Sequence, residues 1–393
     1  MSIGKIARRL VPPDQSFFLF GPRGTGKSTW LRDVLPDAVF VDLLDNSLFM
    51  KLSADPHQLE ALLGGRSEGM WMVLDEIQKV PHLLDEVHRL MESRKVRFAL
   101  SGSSARKLRR GNVNLLAGRA VTRQLGAFSA SELGDAFDLD LAVQWGTLPI
   151  VAANYGSAAD ILNAYVNTYI KEEVREEAIL RKEPPFLRFL GIVGQMNGQV
   201  VNAQGIARDA AVPRSSVDNY FSILTDTLVG CFLPAYRAAV KVREQTHPKF
   251  YWFDGGLARA AAGLLFDPVD RLWKGSSLET LIYQELRVFN EVRQKHRAIA
   301  YYRTAAGAEI DFVVETQKRQ GSNPPHVVCI EVKLAEKWDR RWELPARSLA
   351  GDSRIVADRM FGVYGGERAW HYDDFDVLPV REFLRQLHAG AVF

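Results

Sequence analysis

Short apolar runs alternate with helix-forming stretches over the first third of the chain. The apolar runs are SFFLFG, AVFVDLL, WMVLDE, VRFALSG and AVTRQLGAF, and a helix is expected from Ser28. Strands that recur with helices between them predict a parallel sheet covered on both faces. The pattern therefore predicts an α/β fold for this part of the chain.

The pattern changes further along the chain. A helical and charged stretch ends near Pro184, and it is followed by a small α-rich stretch with two short helical patterns. A helix expected from Ser276 then precedes the strand-like runs IAYYRT, AEIDFVVE and HVVCIEVKLA. The predicted segments are 1–130, 131–190 (helical), 191–250 and 251–393 (α/β).

Composition limits the classes of protein to which the chain can belong. Its 393 residues carry 50 Lys plus Arg and 47 Asp plus Glu, so the net charge is +3 and any nucleic-acid surface must be local. Cys231 and Cys329 form no pattern of a disulfide framework or a zinc site, and we expect a reducing, cytoplasmic setting. No run approaches the roughly 18 apolar residues of a membrane span, so neither secretion nor membrane insertion is expected.

A glycine-rich loop follows the first apolar run. Gly21 to Ser28 reads GPRGTGKS, which is the GxxxxGK[ST] motif between a strand and a helix. Glycines let the backbone turn tightly and direct amide N–H groups inward, and the helix N-terminus adds a positive dipole. We expect ATP there, with Lys27 on the β- and γ-phosphates and Ser28 on Mg²⁺. The predicted nucleotide-binding residues are Gly21, Gly24, Thr25, Gly26, Lys27, Ser28, Thr29, Asp75 and Ser103.

Two acids end the apolar run WMVLDE. Asp75 is predicted to hold Mg²⁺, and Glu76 to polarise the water that attacks the γ-phosphate, because ligands of open α/β sheets collect at strand C-termini. Ser103 or Ser104 either senses the phosphate or caps a helix. Arg119 is a candidate for the cation that acts in phosphoryl transfer. It acts within its own site, acts across a ring or dimer interface, or is a surface arginine.

Acidic residues also interrupt two apolar strands near the C-terminus. Because strand side chains alternate between faces, Glu309 and Asp311 are expected on one face, with Ile310 and Phe312 on the other. The same rule places Glu331 beside Lys333 on the next strand. Asp311, Glu331 and Lys333 would then meet if the strands are adjacent, in an arrangement that suits Mg²⁺ and phosphodiester chemistry. A solvated sheet face with a cross-strand ion pair is the alternative.

Glu279 is a further candidate metal ligand, on the helix that precedes these strands. Ser276-Ser-Leu-Glu279 also matches a capping box, in which the glutamate serves only the helix N-terminus. Both interpretations stand at this point.

The stretch AQGIARDAAVPRSSVDNYFSILTDT has the apolar spacing of a helix-turn-helix, with its turn near Pro213. Its predicted apolar positions are Ile206, Ala210, Val212, Val217, Phe221 and Leu224. The second helix offers polar groups at the end where such helices meet DNA. These are Arg214, Ser215, Ser216 and Asn219. Protein contacts are the alternative, because the same helix carries Asp218 and Asp226. A separate basic run, Arg106 to Arg110, follows Ser103 and Ser104 in the sequence.

Taken together, these motifs resemble a known family. FLFGPRGTGKST, MVLDEIQKVP, LLAGR, KFYWFDGGLARA, GAEIDFVV and CIEVK occur in the order typical of bacterial and archaeal AAA-type ATPases with a C-terminal domain first catalogued as of unknown function. The resemblance implies an AAA-type P-loop ATPase core, a winged-helix-like middle, and a C-terminal domain similar to the PD-(D/E)xK nucleases, that is, restriction-endonuclease-like.

Two functions follow as hypotheses. The first is an ATP-driven DNA-processing enzyme, with ATP and Mg²⁺ as cofactors, duplex or branched DNA as partner, and a homo-oligomer such as a hexameric ring as its assembly. The second is a nucleotide-dependent regulatory switch whose nuclease-like domain only binds DNA or protein. A protein-unfolding machine is disfavoured, because the nuclease-like half gives no reason for threading a polypeptide.

Overall fold

The computed structural model describes residues 6–64, 69–104, 116–170, 183–237, 247–304 and 306–393. Its strands are β1 (Phe17–Phe20), β2 (Val39–Asp42), β3 (Trp71–Asp75), β4 (Arg97–Gly102), β5 (Val121–Gln124), β6 (Gln199–Val200), β7 (Gly230–Leu233), β8 (Lys249–Trp252), β9 (Ala298–Arg303), β10 (Glu309–Gln317), β11 (His326–Lys333), β12 (Val356–Tyr364), β13 (Trp370–Tyr372) and β14 (Phe375–Pro379).

The helices of the described residues are α1 (Lys27–Val34), α2 (Asn46–Ala54), α3 (Gln58–Ala61), α4 (Leu83–Arg94), α5 (Ala130–Leu133), α6 (Leu139–Trp145), α7 (Pro149–Ala152), α8 (Ala158–Ala164), α9 (Glu183–Gln195), α10 (Ala203–Asp209), α11 (Arg214–Asp226), α12 (Gly255–Ala261), α13 (Arg271–Val292), α14 (Leu344–Ala350) and α15 (Val380–Ala389). A π-helical stretch, Tyr165–Ile170, continues α8. Short 3₁₀ turns cover Ile77–Lys79, Leu116–Gly118, Gly134–Ala136, Tyr155–Ser157 and Arg340–Glu343.

The first sheet has five strands in the order β2-β3-β4-β1-β5, and every pairing is parallel. Its apolar side chains alternate between two buried clusters, with Phe18 and Leu74 in one and Phe17 and Val73 in the other. Both faces are therefore covered, as parallel sheets require. The predicted α/β fold with a parallel sheet is confirmed for this region.

The middle of the chain contains two helices packed over a small antiparallel sheet. Helices α10 and α11 contact each other, and the three strands are ordered β6-β8-β7. Five of the six apolar positions predicted for the helix pair are buried and Val212 is half-buried. The helical pattern on either side of Pro213 is therefore correct.

The last sheet has six strands in the order β13-β14-β12-β11-β10-β9 and mixes parallel and antiparallel pairs. Helices α13 and α15 cover one face, and α14 covers the other. The N-cap of α13 is Asp270, whose side chain accepts from the N–H of Trp273 at 2.6 Å. The predicted start at Ser276 is therefore wrong. Glu279 lies well inside α13, so the capping-box interpretation is wrong too.

A β-bulge in β10 changes which side chains share a face. Ile310 opposes Tyr302 and Val313 opposes Ala300, so β10 has one residue more than β9 between these pairs. Ile310 packs in the apolar cluster that covers one face, and Phe312 in the cluster on the other. The prediction that both would share a face is wrong, because an extra residue interrupts strict alternation.

A buried aspartate joins the helical segment to α12. The Asp254 carboxylate accepts the N–H of Thr147 at 2.7 Å and that of Gly256 at 2.9 Å. A Cβ on Gly146 would lie 1.9 Å from Asp254 Oδ1, so this approach requires glycine. Burial raises the pKa of Asp254 to about 6, although the amide hydrogen bonds oppose the change. Along the described ranges, no helix combines the length and the apolar character that crossing a membrane demands.

Candidate functional sites

The glycine loop connects β1 to α1. Gly24 has a φ of 75° and Gly26 a φ of 82°, a region that side chains with a Cβ rarely adopt. Gly26 is the N-cap of α1, so the loop delivers the chain directly into the helix. Ser28 is half-buried and Thr29 exposed in the first turn. The first turn of α1 therefore presents amide N–H groups and hydroxyls of the type that binds phosphate and Mg²⁺.

Lys27 is held by the loop itself. Its Nζ donates to the carbonyl oxygen of Gly21 at 2.7 Å and to that of Pro22 at 3.1 Å. The hydroxyl of Thr25 also donates to the Pro22 carbonyl, at 2.9 Å. The ammonium thus lies inside the loop on neutral acceptors, where anionic phosphate oxygens would be stronger ones.

A residue that the sequence analysis missed supports the loop from behind. Arg8 donates to the carbonyl of Thr25 at 2.7 Å and to Glu132 Oε2 at 2.9 Å. Its guanidinium also lies 4.4 Å from the ring centre of Phe128. Burial lowers the pKa of Arg8, although Glu132 opposes the change. Arg8 therefore ties the glycine loop to α5. No motif surrounds it that would have revealed this role.

The two acids after β3 have different surroundings. Asp75 is buried and accepts a short hydrogen bond from the hydroxyl of Ser101 on β4. Glu76 adopts a left-handed backbone with φ of 62° and accepts from the side-chain amide of Gln78, which also donates to Ser103 Oγ at 3.1 Å. Gln78 thus links the predicted catalytic acid to the predicted phosphate sensor. It was not predicted, because a single amide residue carries no pattern. Ser104 is buried beside it.

Arg119 lies on the surface of the first domain. Its Nε donates to Glu92 Oε1 on α4 at 2.7 Å, and both side chains are about half exposed. Arg119 is therefore held in a solvent-exposed ion pair. The basic run Arg106 to Arg110 lies outside the described residues.

The three residues predicted to meet on the C-terminal sheet, Asp311, Glu331 and Lys333, do converge. Asp311 Oδ2 accepts the N–H of Val332 at 2.8 Å and Lys333 Nζ at 3.4 Å. Lys333 also makes a short ion pair with Glu331 and donates to the carbonyl of Val332 at 3.1 Å. Burial lowers the pKa of Lys333, but Asp311 and Glu331 outweigh it and the net change is upward. Three oxygen acceptors therefore surround one ammonium group.

Glu331 has an unmatched oxygen. Its Oε2 is buried and has no hydrogen-bond partner among the described residues. Burial, and then the charge of Asp311, raise the pKa of Glu331 to about 8, although Lys333 opposes both. This carboxylate therefore lies where a cation would stabilise it.

Glu279 joins the same cluster through a second lysine. Its Oε1 accepts Lys249 Nζ at 3.0 Å and a short hydrogen bond from the hydroxyl of Tyr251. Lys249 Nζ also lies 2.6 Å from Glu309 Oε1. Burial lowers the pKa of Lys249, but Glu279, Asp311 and Glu309 outweigh this effect and the net change is upward. Lys249 was missed because it belongs to β8, far from the acidic strands in sequence.

The oxygen atoms of the C-terminal cluster provide some of the ligands that a hard cation needs. Across the ranges that the structure describes, no group of three His, Cys, Asp or Glu side chains is arranged to hold a metal ion. Asp311, Glu331 and the carbonyl of Val332 nevertheless supply hard oxygen donors, which Mg²⁺ prefers, and Glu331 has an unpartnered buried oxygen. These donors fit Mg²⁺, whereas Glu279 is engaged with Lys249 and Tyr251.

The polar end of α11 is accessible. Arg214, Ser215 and Asn219 are exposed and Ser216 is half-buried, and Arg214 forms an ion pair with Asp218 one turn later. The negative charge of Asp218 partly offsets the positive charge that Arg214 would present to DNA phosphates. The role of these residues in DNA binding stays a prediction.

Comparisons with known proteins cover most of the chain in three parts. Residues 13–134 match a family described as an AAA domain. Residues 136–267 and 274–383 match two domains of unknown function, DUF8612 and DUF4143. No curated protein matches the chain.

Two solved structures illustrate the structural matches. The RuvB Holliday junction branch migration motor of Thermotoga maritima has 16% identity and a TM-score of 0.30, over 56% of this chain and 82% of that chain. A Signal Transduction ATPase with Numerous Domains from Pyrococcus horikoshii, which carries a tetratricopeptide repeat sensor, has 13% identity and a TM-score of 0.23, over 71% of this chain and 46% of that chain.

The assignment therefore depends on the family match and on the site itself. The matched segment contains the complete glycine loop, the parallel sheet that positions it, and the acidic pair after β3. Residues 13–134 therefore match an AAA domain and contain the loop and the parallel sheet of a P-loop nucleotide-binding domain.

Proposed function

We propose that the protein is an ATP-hydrolysing DNA-processing enzyme, in which an oligomeric AAA-type motor is coupled to a Mg²⁺-dependent nuclease-like domain acting on duplex or branched DNA. The observation that carries the proposal is the convergence of Asp311, Glu331 and Lys333 at one point of the C-terminal sheet. A solvated sheet face would not bury two carboxylates around one ammonium group. Asp311 and Glu331 are both only 6% exposed.

In the ATPase domain, Lys27 would exchange its carbonyl partners for the β- and γ-phosphate oxygens of ATP. Ser28 and Asp75 would hold Mg²⁺, which neutralises charge on the phosphates. Glu76 would orient and polarise the attacking water. Gln78 would couple the side chains of Glu76 and Ser103, because it donates a hydrogen bond to each. The exposed position of Arg119 supports action on a neighbouring subunit's ATP, which requires an oligomer.

In the C-terminal domain, Asp311 and Glu331 would hold Mg²⁺, which activates water and stabilises the leaving oxygen of a phosphodiester. Lys333 would then donate to the scissile phosphate or to the attacking water. Glu279 would position the site through its hydrogen bonds with Lys249 and Tyr251.

The middle region would supply the DNA contact. Helices α10 and α11 with strands β6, β7 and β8 follow the order of a winged helix, which supports binding through Arg214 and its exposed neighbours. Strand β8 also carries Lys249 into the carboxylate cluster. DNA binding and the proposed nuclease site are thus linked through one strand.

A nucleotide-dependent regulatory switch is the second candidate. It is favoured by the finding that, in the described part of the chain, no three acidic or metal-binding side chains are arranged around a metal position. In that case the C-terminal domain binds DNA or protein without cutting, and ATP controls assembly.

Cleavage of single-stranded, duplex, forked and four-way DNA with Mg²⁺ separates the two candidates. We expect the wild type to cleave at least one substrate, and Lys333→Ala to lose about 100-fold in rate, because such charge stabilisation is worth roughly that much. The control is Lys337→Ala, which changes an exposed lysine on the following loop.

Equal cleavage by the wild type and Lys333→Ala would remove the nuclease role. No cleavage of any substrate, together with ATP-dependent DNA binding, would favour the switch. ATP turnover without DNA should be the same in all three proteins, since Lys333 lies outside the ATPase domain.

A further inference from the structure

Lys249 belongs to the middle sheet but lies among the acids of the C-terminal domain. It is the first residue of β8, and its side chain is only 4% exposed. Its Nζ is 3.0 Å from Glu279 Oε1, 2.6 Å from Glu309 Oε1 and 5.5 Å from the ring centre of Tyr301. The ammonium therefore has a fixed position between two carboxylates of different elements.

The cluster is not neutral even with this lysine. Its four carboxylates are Glu279, Glu309, Asp311 and Glu331, and its cations are Lys249, Lys333 and Arg303, whose Nε lies 3.5 Å from Glu309 Oε2. When every group is ionised, one negative charge remains, and it belongs to Asp311 and Glu331, because Lys249 and Arg303 balance Glu279 and Glu309. Without Lys249 the excess negative charge would be larger by one. Excess buried charge favours the uptake of a further cation.

The acids divide into two sets. Asp311 and Glu331 share Lys333 and include the unpartnered Oε2 of Glu331. Glu279 and Glu309 share Lys249, and Glu279 also accepts from Tyr251. Sites with two divalent ions need a separate set of oxygen ligands for each ion. Both sets hold a lysine, but the second set is balanced by Lys249 and Arg303, whereas the first keeps an excess negative charge and the unpartnered oxygen of Glu331.

We propose that Lys249 takes the place of a second divalent cation, so that the carboxylate cluster binds one divalent ion at Asp311 and Glu331. The inference rests on the proposed function, because it assumes that the first set binds a metal. It assigns Lys249 as a positioning residue that limits the number of metal ions. It also makes the site depend on β8 of the middle sheet.

The test is direct counting of bound Mn²⁺, by calorimetric titration and by electron paramagnetic resonance of free Mn²⁺, on the nucleotide-free full chain. Every protein carries Asp75→Asn, so that the nucleotide site contributes no ion. We expect one Mn²⁺ per chain in this background and at least about tenfold weaker binding after Asp311→Asn, because a ligand is lost. Lys249→Gln should bind two.

A matched variant separates metal selection from folding. Lys249→Gln/Glu279→Gln removes one charge of each sign and should again bind one Mn²⁺, since the second set has lost a carboxylate. Glutamine is similar in length to both side chains. Circular dichroism and thermal unfolding establish that each variant is folded.

The outcomes are distinct. If no Mn²⁺ binds in the Asp75→Asn background, the metal site of the proposed function is overturned and the inference falls with it. If one ion binds there and folded Lys249→Gln also binds one with the same affinity, only the inference is overturned. If the Asp75→Asn protein binds two Mn²⁺ ions at saturation while Lys249 is intact, the inference about Lys249 is overturned. This measurement does not need the Lys249→Gln variant, so the test stays decisive even if that variant does not fold.

Discussion

The glycine loop and the carboxylate cluster place their lysines in opposite surroundings. The loop consists of eight consecutive residues, Gly21 to Ser28, and holds its lysine on neutral main-chain carbonyls. The cluster takes its residues from positions 249 to 333 and holds two lysines on four carboxylates. The loop therefore offers hydrogen-bond donors that suit an anion, whereas the cluster offers oxygen acceptors that suit a cation.

The two sites also differ in whether their charge can change with pH. In the cluster, burial and repulsion by Asp311 raise the pKa of Glu331 to about 8, although Lys333 opposes the change. The raised pKa shows that the negative charge there is under-compensated. The loop has a polarity fixed by backbone direction, which cannot be protonated away. Loss of a single side chain should therefore affect the two sites differently.

The largest expected effect is on ATP binding. Lys27→Ala should weaken ATP binding about 1000-fold, because a charge-assisted contact to two phosphates is lost at a buried position. Titration with a fluorescent ATP analogue measures it. Lys51→Ala, at an exposed position on α2, is the control.

The same variant tests whether the two sites are separate. Mn²⁺ binding at the carboxylate cluster should be unchanged in Lys27→Ala, since Lys27 donates to the carbonyls of Gly21 and Pro22 within the glycine loop. Loss of both ATP binding and Mn²⁺ binding in this variant would show that the two sites are not independent.

The next effect concerns turnover rather than binding. Arg119→Ala should lower ATP turnover about 100-fold with little change in ATP affinity, because a transition-state cation acts on developing charge. Steady-state kinetics with a coupled assay separate the two quantities. The control is Arg94→Ala, which changes an exposed arginine of α4 that is paired with Glu60.

Subunit mixing decides where Arg119 acts. If Arg119 serves a neighbour, a mixture of Arg119→Ala and Glu76→Gln chains should recover part of the turnover that each lacks. Unchanged turnover in Arg119→Ala would leave only its surface ion pair with Glu92.

Much of the first site could be predicted because its signal is local. Spacing and glycine content are enough to specify a loop whose geometry depends on backbone angles. The parallel sheet followed from alternation between apolar runs and helices. Arg8 and Gln78 were missed because their roles depend on contacts with Glu132 and Ser103, which are far away in the chain.

The second site was predictable only in outline. Strand alternation brought Asp311 and Glu331 together correctly, but the bulge between Ile310 and Val313 breaks the alternation that the prediction used. No sequence pattern marks a bulge of this kind. Lys249 reaches the cluster through sheet and helix packing, which is a property of the tertiary structure. Its role could be recognised only when the elements were placed together.

The last expected effect concerns stability rather than activity, and it compares two buried acids, Asp254 and Glu331. Unlike Glu331, the Asp254 carboxylate is held by the amide N–H groups of Thr147, Gly256 and Leu257. Burial still raises its pKa from 3.8 to about 6. Between these values the folded state binds more protons than the unfolded state, so the contribution to stability is full below the lower value and is lost as pH rises through the upper one.

Asp254→Asn removes this titration and places an amide group opposite the N–H of Thr147. The variant should be less stable at pH 4, and its deficit should shrink by up to about 3 kcal/mol by pH 7, the free energy that corresponds to the pKa change. Urea unfolding at four pH values measures the difference, and Asp160→Asn, at an exposed position, should show no such trend. A deficit that grows with pH would mean that the amide groups stabilise the charged form more than burial penalises it. In that case Asp254 would be a fixed anion, unlike the under-compensated Glu331.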